Sequence, residues 1–278
     1  MDFTIIITAS AIPSHPKILL IKEVIESLNK LDFSNYKLKK KIKVILSHDG
    51  TNKINNEYLN KLNENYLKYL DNLKDYVNSY NKNSKIFELK IIVSDKYGHL
   101  TGNIRNCMKY IDTEYILILQ HDFRLIKKVN PLSIFEDMKN NPKLKQIVLN
   151  DNKNLPIDWS KDEFNFFGNH NIVTKNNAYC STLSWFDKNH FSTKKYYTDI
   201  VLKICKDGHF MEKTLHKLNN SVETHLKFGT YFYGEVNDGE YIEHSYGRFA
   251  GKYIDPNVSI PKERHELIKY ATNRLNNL

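Results

Sequence analysis

The chain opens on an unbroken apolar run, Phe3 to Thr8 (FTIIIT), and short apolar runs recur at Lys43–Ser47, Glu88–Ser94 and Glu114–Leu119. Runs of this length with little polar alternation predict strands buried on both faces, as in a parallel sheet covered by helices. Between them the period changes. Ile18, Ile21, Ile25 and Leu28 fall at helical spacing within Lys17–Leu31. Leu59, Leu62, Tyr66, Tyr69, Leu70, Leu73 and Val77 form one stripe of a long helix over Tyr58–Tyr80. A glycine-containing loop, Lys96–Gly102, leads into a helix over Asn103–Ile111. Strand and helix in alternation predict βα units and a mainly parallel sheet.

The second half is less regular. Gln146–Leu149 reads as a strand, Asn152–Asn177 as a polar, aromatic loop and Thr198–Leu218 as helix. Tyr231–Glu243 reads as a hairpin turning at Asn237-Asp238-Gly239, and Pro261–Leu278 as a terminal helix opened by proline. No repeat or low-complexity linker divides the chain, so residues 1–278 are expected to form one domain.

In an open α/β sheet, ligands bind outside the carboxyl ends of the strands. The polar residues at those ends are Thr8 and Ser10, Asp49, Ser94 and Asp95, and His121 with Asp122. Asp49 offers a carboxylate to a base imide or a ribose hydroxyl, or it closes a turn with Gly50. Asp122 ends an intensely apolar strand, where an ionised group needs a partner, water or a metal. A hard divalent ion bridging it to two phosphates would neutralise a leaving diphosphate; the plainer alternative is a cap on the next turn. Arg105, just past the glycine loop, can reach a phosphate or Asp122, or lie on the helix surface.

The order of the TIIITAS strand, ILSHDG, GHLTGNIRN and YILILQHDF resembles the GT-A glycosyltransferases, the inverting family-two type in particular. The resemblance implies an α/β, Rossmann-type sandwich with a mainly parallel central sheet. Its nucleotide-sugar-binding half would be residues 1–125 and its acceptor-binding half 126–278. By the same resemblance Thr8, Ser10 and Asp49 contact the nucleoside, Arg105 supports the diphosphate, and Asn103 and His121 belong to the nucleotide-sugar site. Asp122 becomes the last carboxylate of a DxD motif. Gln120 stands where that motif has its first carboxylate and is a poor metal ligand, so a later residue is expected to help hold Mn²⁺ or Mg²⁺. His244, in a polar segment late in the chain, is the choice. The donor would be a UDP- or GDP-linked sugar.

Inverting transfer needs a general base for the acceptor hydroxyl. Glu212, in Gly208-His209-Phe210-Met211-Glu212-Lys213, has apolar neighbours that raise a carboxyl pKa; Asp187 and Asp199 compete for the role. Trp185, with Trp159 and Phe186, would suit an acceptor floor for a glycan or glycoprotein, and Asp187 and His190 could bind its hydroxyls. The alternative is a core aromatic cluster, which suits Phe186 more than Trp185.

Composition adds limits. Hydrophobic residues make up 41% and charged residues 26%, too apolar for a disordered chain. A net charge of +9 attracts phosphates of any kind. The lysines are scattered apart from the run Lys37, Lys39, Lys40, Lys41 and Lys43, with no basic-aromatic module, so no nucleic-acid partner is expected. Cys107, Cys180 and Cys205 are far apart and odd in number, which fits neither a disulfide framework nor a metal site. There is no basic leader and no run near the ~20 apolar residues of a membrane span, so a soluble, cytoplasmic protein is expected. The richness in Lys, Asn, Ile and Tyr matches an AT-rich viral or microbial genome. Dinucleotide, P-loop, nucleophile-elbow and His-Glu-x-x-His motifs are all missing. A sugar nucleotidyltransferase would carry a Gly-rich basic loop after the first strand, where Ala11–Pro16 has neither feature. A catalytically silent GT-A-like domain is the other alternative, kept open by Gln120.

Overall fold

The structure is a computed structural model and describes residues 2–12, 14–34, 36–51, 57–154, 171–182, 184–218 and 221–245. The terminal helix expected at 261–278, and Trp159, lie outside the described residues.

The four apolar runs form β1 (Phe3–Ala9), β2 (Ile42–His48), β3 (Phe87–Val93) and β4 (Tyr115–Gln120), paired in parallel in the order β3-β2-β1-β4. Successive side chains of a strand point to opposite faces; both faces of β1, β2 and β4 are covered, whereas the edge strand β3 exposes Glu88 and Lys90 on one face. Ile5, Ile7, Val44, Leu46, Leu117 and Leu119 pack beneath α1 (Leu19–Ser27) and the stripe Tyr66, Tyr69, Leu70, Leu73 and Val77 of α2 (Glu57–Asn83). Ile6, Ile45, Ile116 and Ile118 join the opposite core with Ile104 and Cys107 of α3 (His99–Cys107). This double burial explains the absence of polar alternation in β1, β2 and β4. The three cysteines are buried free thiols.

The second half completes the same sheet. β5 (Phe123–Leu125) and α4 (Pro131–Asn140) lead to β6 (Gln146–Val148), β7 (Ile172–Val173), β8 (Ala178–Ser181) and β9 (His190–Thr193). β9 runs antiparallel between β4 and β6, and the order continues through β10 (Thr230–Tyr233) to β8 and β7. After β9 come α5 (Lys194–Tyr196), a π-helical turn over Tyr197–Val201, α6 (Leu202–Ile204), α7 (Met211–Leu218), α8 (Val222–Phe228), β10 (Thr230–Tyr233) and β11 (Ile242–His244).

Three expectations are corrected. The helix expected over Thr198–Leu218 breaks between α6 and α7, where Cys205 turns extended and Gly208 takes a φ of 78°. Tyr231–Glu243 is not a hairpin: β10 pairs with β6 and β8, whereas β11 pairs with β5 in a separate two-stranded sheet. Asn237 and Gly239 do adopt the left-handed turn geometry, but the turn joins strands of different sheets. Finally, α3 begins at His99 rather than Asn103, which shortens the loop before it.

Candidate active site

The register of the parallel strands levels their carboxyl ends. Thr8 lies opposite Ser47 on one side and Gln120 on the other. The ladder runs one residue further, because the Asp49 N–H donates to Ala9 O at 2.9 Å and the His121 N–H to Thr8 O at 3.0 Å. Asp49 and His121 therefore flank the end of β1, with half-buried Ser10 just beyond it. Thr8 itself is buried, and its Oγ1 donates to Leu119 O at 3.3 Å. Asn103, 2% exposed, spends its amide on the same edge: Nδ2 donates to Ala9 O (3.1 Å) and Ser47 O (2.9 Å), while Oδ1 accepts from Ser47 Oγ. It ties α3 to the ends of β1 and β2.

Asp49 is 1% exposed. Its Oδ1 accepts from the N–H groups of Gly98 (2.8 Å) and Gly50 (3.0 Å), and its Oδ2 makes no hydrogen bond. Burial pushes its pKa up to about 6, against the opposing pull of those N–H groups. Its backbone carbonyl accepts from the buried Tyr66 hydroxyl at 2.8 Å, so α2 holds this strand end from behind.

Asp122 and His244, 122 residues apart, meet at 3.2 Å between Oδ2 and Nε2. β11 delivers His244 opposite Phe123, and the two rings stack with centroids 4.2 Å apart. The Ser245 N–H donates to Asp122 O at 2.7 Å, which closes this corner. His121 is turned inward, with Nδ1 3.2 Å from Thr8 O. A cavity of about 330 Å³, lined by Asp151, Asn152, Glu240, Glu243 and His244 among others, opens beside the pair. Among the described residues no group of three His, Cys, Asp or Glu side chains is arranged to hold a metal ion.

Two contacts that single-residue patterns did not signal organise the next part of the rim. Gln120 Nε2 donates to Asp187 O at 2.9 Å and to Asp187 Oδ1 at 3.3 Å, so the residue in the variant motif holds a carboxylate instead of supplying one. Asn189, fully buried, accepts from the Gln120 N–H and donates to Phe123 O, each at 2.9 Å, clamping the turn that carries His121 and Asp122. Asp187 in turn acts on Glu212 at the start of α7. Burial first, then the Asp187 charge, push the Glu212 pKa up to about 7, with Lys188 opposing. Asp199, the other competitor, is exposed on the π-helical turn beside Thr198.

Other candidates sit elsewhere. Arg105 turns its guanidinium to Asp207 and to the carbonyls of Leu202 and Cys205, not to Asp122. Trp185 is fully buried and donates to the Tyr196 hydroxyl at 3.1 Å, so its faces belong to the core and not to an acceptor floor. His190 is 1% exposed, held between Lys188 O and the Tyr197 hydroxyl, and burial lowers its pKa to about 4. A neutral, enclosed imidazole has no reach to a sugar hydroxyl. Phe186 is half-buried against Phe232.

Comparison of the fold places the molecule. The chain aligns over 98% of its length with 65% of S. aureus TarS 1–349 in complex with UDP-GlcNAc, at 13% identity and a TM-score of 0.50. It thus spans just under two thirds of that chain. S. aureus TarS 1–349 in a second structure aligns over 100% and 72% of the two chains, at 13% identity and a TM-score of 0.47. A Bacillus anthracis protein assigned as a glucose-1-phosphate thymidylyltransferase, solved with sucrose, aligns over 95% and 99% at 12% identity and a TM-score of 0.47. No family model and no curated protein sequence matches the chain. At such identity the likeness is one of fold: the chain has a GT-A-type α/β fold. Among the described residues no helix is long and apolar enough to cross a membrane.

Proposed function

We propose that the protein transfers a sugar from a UDP- or GDP-linked donor to a hydroxyl of a glycan or glycoprotein, with inversion at the sugar carbon. The observation that supports this most is the level carboxyl edge, which brings Asp49 and the His121-Asp122 turn to either side of β1. Asp49, at the end of β2, would accept from the N–H of the nucleobase. Ser10 would meet the nucleoside from the end of β1. Asp122 and His244, an oxygen and a nitrogen donor side by side, suit a divalent ion whose other ligands are phosphate oxygens and water. When bound, Mn²⁺ or Mg²⁺ would offset the charge of the departing diphosphate.

Glu212 would take the proton of the acceptor hydroxyl as that oxygen bonds to the sugar carbon and the carbon–phosphate oxygen bond breaks. A carboxyl with a pKa of about 7 is a competent base at neutral pH, and turnover is expected to rise through that pH as Glu212 ionises. The test is Glu212→Gln, assayed for nucleoside diphosphate release across a panel of nucleotide-sugars and glycan acceptors. Turnover is expected to fall roughly 10²–10⁴-fold while donor binding persists. Near-normal turnover would assign the base elsewhere.

A further inference from the structure

The link from Cys205 to Phe210 has no regular structure, yet it delivers Glu212 two residues later. It is bonded along its length to α3. Arg105 Nε donates to Asp207 Oδ1 at 2.8 Å, and Nη2 donates to the carbonyls of Leu202 (3.0 Å) and Cys205 (2.8 Å). Leu202 opens the one-turn α6 and Cys205 follows it, in a short turn whose carbonyl groups lack partners within the helix and can be capped by a guanidinium. Thr101 Oγ1 donates to His209 O at 2.7 Å and the Gly208 N–H to Gly98 O at 2.8 Å. The Phe210 ring lies edge-on to His99, centroids 4.2 Å apart. α3 is itself locked to the ends of β1 and β2 by Asn103. A chain of direct bonds thus runs from the sheet edge through α3 to the segment entering α7.

We propose that Arg105 is a positioning residue for Glu212: it fixes the Cys205–Phe210 link on α3 and does not grip the donor's diphosphate. This rests on Glu212 being the base. Nε and Nη2 are already directed at oxygens of this chain, and the Asp207 carboxylate beside them repels a phosphate. The charged groups acting on Glu212 from the β8–β9 connection are Asp187 and Lys188; Lys213, on its own helix, lies over the Phe210 ring.

The test uses the full chain as wild type, Arg105→Ala, Arg105→Lys and Asp207→Asn. Three readouts are taken: UDP affinity, UDP-GlcNAc turnover, and the titration of the Glu212 carboxyl by ¹³C NMR, assigned by its loss in Glu212→Gln. For Arg105→Ala, UDP affinity is expected to hold while the Glu212 midpoint falls from about 7 toward the ordinary carboxyl range as water reaches it. Turnover is expected to drop about 10²-fold through misplacement of the base. Asp207→Asn removes one anchor of an exposed pair and should give a smaller shift with an unchanged melting temperature. Arg105→Lys, lacking the planar fork, should lie between the two. The proposal is overturned if Arg105→Ala weakens UDP about tenfold and leaves the Glu212 titration in place. Should UDP-GlcNAc not turn over at all, the titration and UDP arms still decide the tether, and the failure falls on the catalytic role alone.

Discussion

Asp49 keeps a carboxylate where water barely reaches it, and that has a measurable cost. Its folded pKa of about 6 lies above the ordinary value, so the unfolded chain ionises first as pH rises. Stability from this group is therefore fully present below pH ~4 and lost as pH climbs through about 6. Asp49→Asn keeps an oxygen for the Gly98 and Gly50 N–H groups and removes the charge. It is expected to raise stability near pH 7.5 by about 1–2 kcal/mol in denaturant titration, and to weaken nucleotide binding. A variant no more stable than wild type would show that the buried charge is already compensated. The placement of Asp49 and Asp122 at the carboxyl edge is legible in the sequence because each comes just after an apolar strand. Trp185 and His190 misled because an aromatic or imidazole carries the same pattern whether it meets a sugar or a core. The hold of Gln120 on Asp187 spans 67 residues and leaves no local trace.

Among the elements, β1, β2 and β4 are legible because each is buried on both faces and ends at a polar residue, while β3, at the sheet's edge, alternates buried and exposed positions. β9 is not: His190-Phe191-Ser192-Thr193 is four residues long, and it becomes a strand only because β4 and β6 offer it edges on both sides. The break between α6 and α7 had Gly208 as its signal, weak against the helical spacing around it. The junction of β9 with the π-helical turn is held by His190, whose Nε2 lies 2.6 Å from the Tyr197 hydroxyl while Nδ1 reaches Lys188 O. With Nδ1 donating to a carbonyl, Nε2 must accept. Tyr197→Phe would leave that nitrogen buried without a partner and is expected to cost about 1–3 kcal/mol of stability. A loss within a few tenths of a kcal/mol would mean that water replaces the hydroxyl.

Among the described residues the two edges of the sheet differ in side chains. Asp49 and Asp122 lie at the carboxyl edge, with Lys188 and His244 near Asp187 and Asp122. The amino edge opens into a cavity of about 530 Å³ lined by Lys37, Lys39, Lys40, Lys41 and Lys43, with Asp2 and Asp112 pairing Lys40 and Lys43. Charge alone would draw a diphosphate to the lysines; the proposed function instead places it at the strand ends, by Asp49 and the Asp122–His244 pair. The most direct measurement is calorimetric titration of UDP and GDP into the full chain, with and without Mn²⁺, for wild type, Asp49→Ala and Lys37→Glu/Lys39→Glu. One nucleotide is expected to bind, tighter with Mn²⁺, with affinity lost in Asp49→Ala and kept in the lysine variant. Binding that survives Asp49→Ala and disappears with the lysines, or no binding by either nucleotide, would contradict a nucleotide-sugar site at the carboxyl edge.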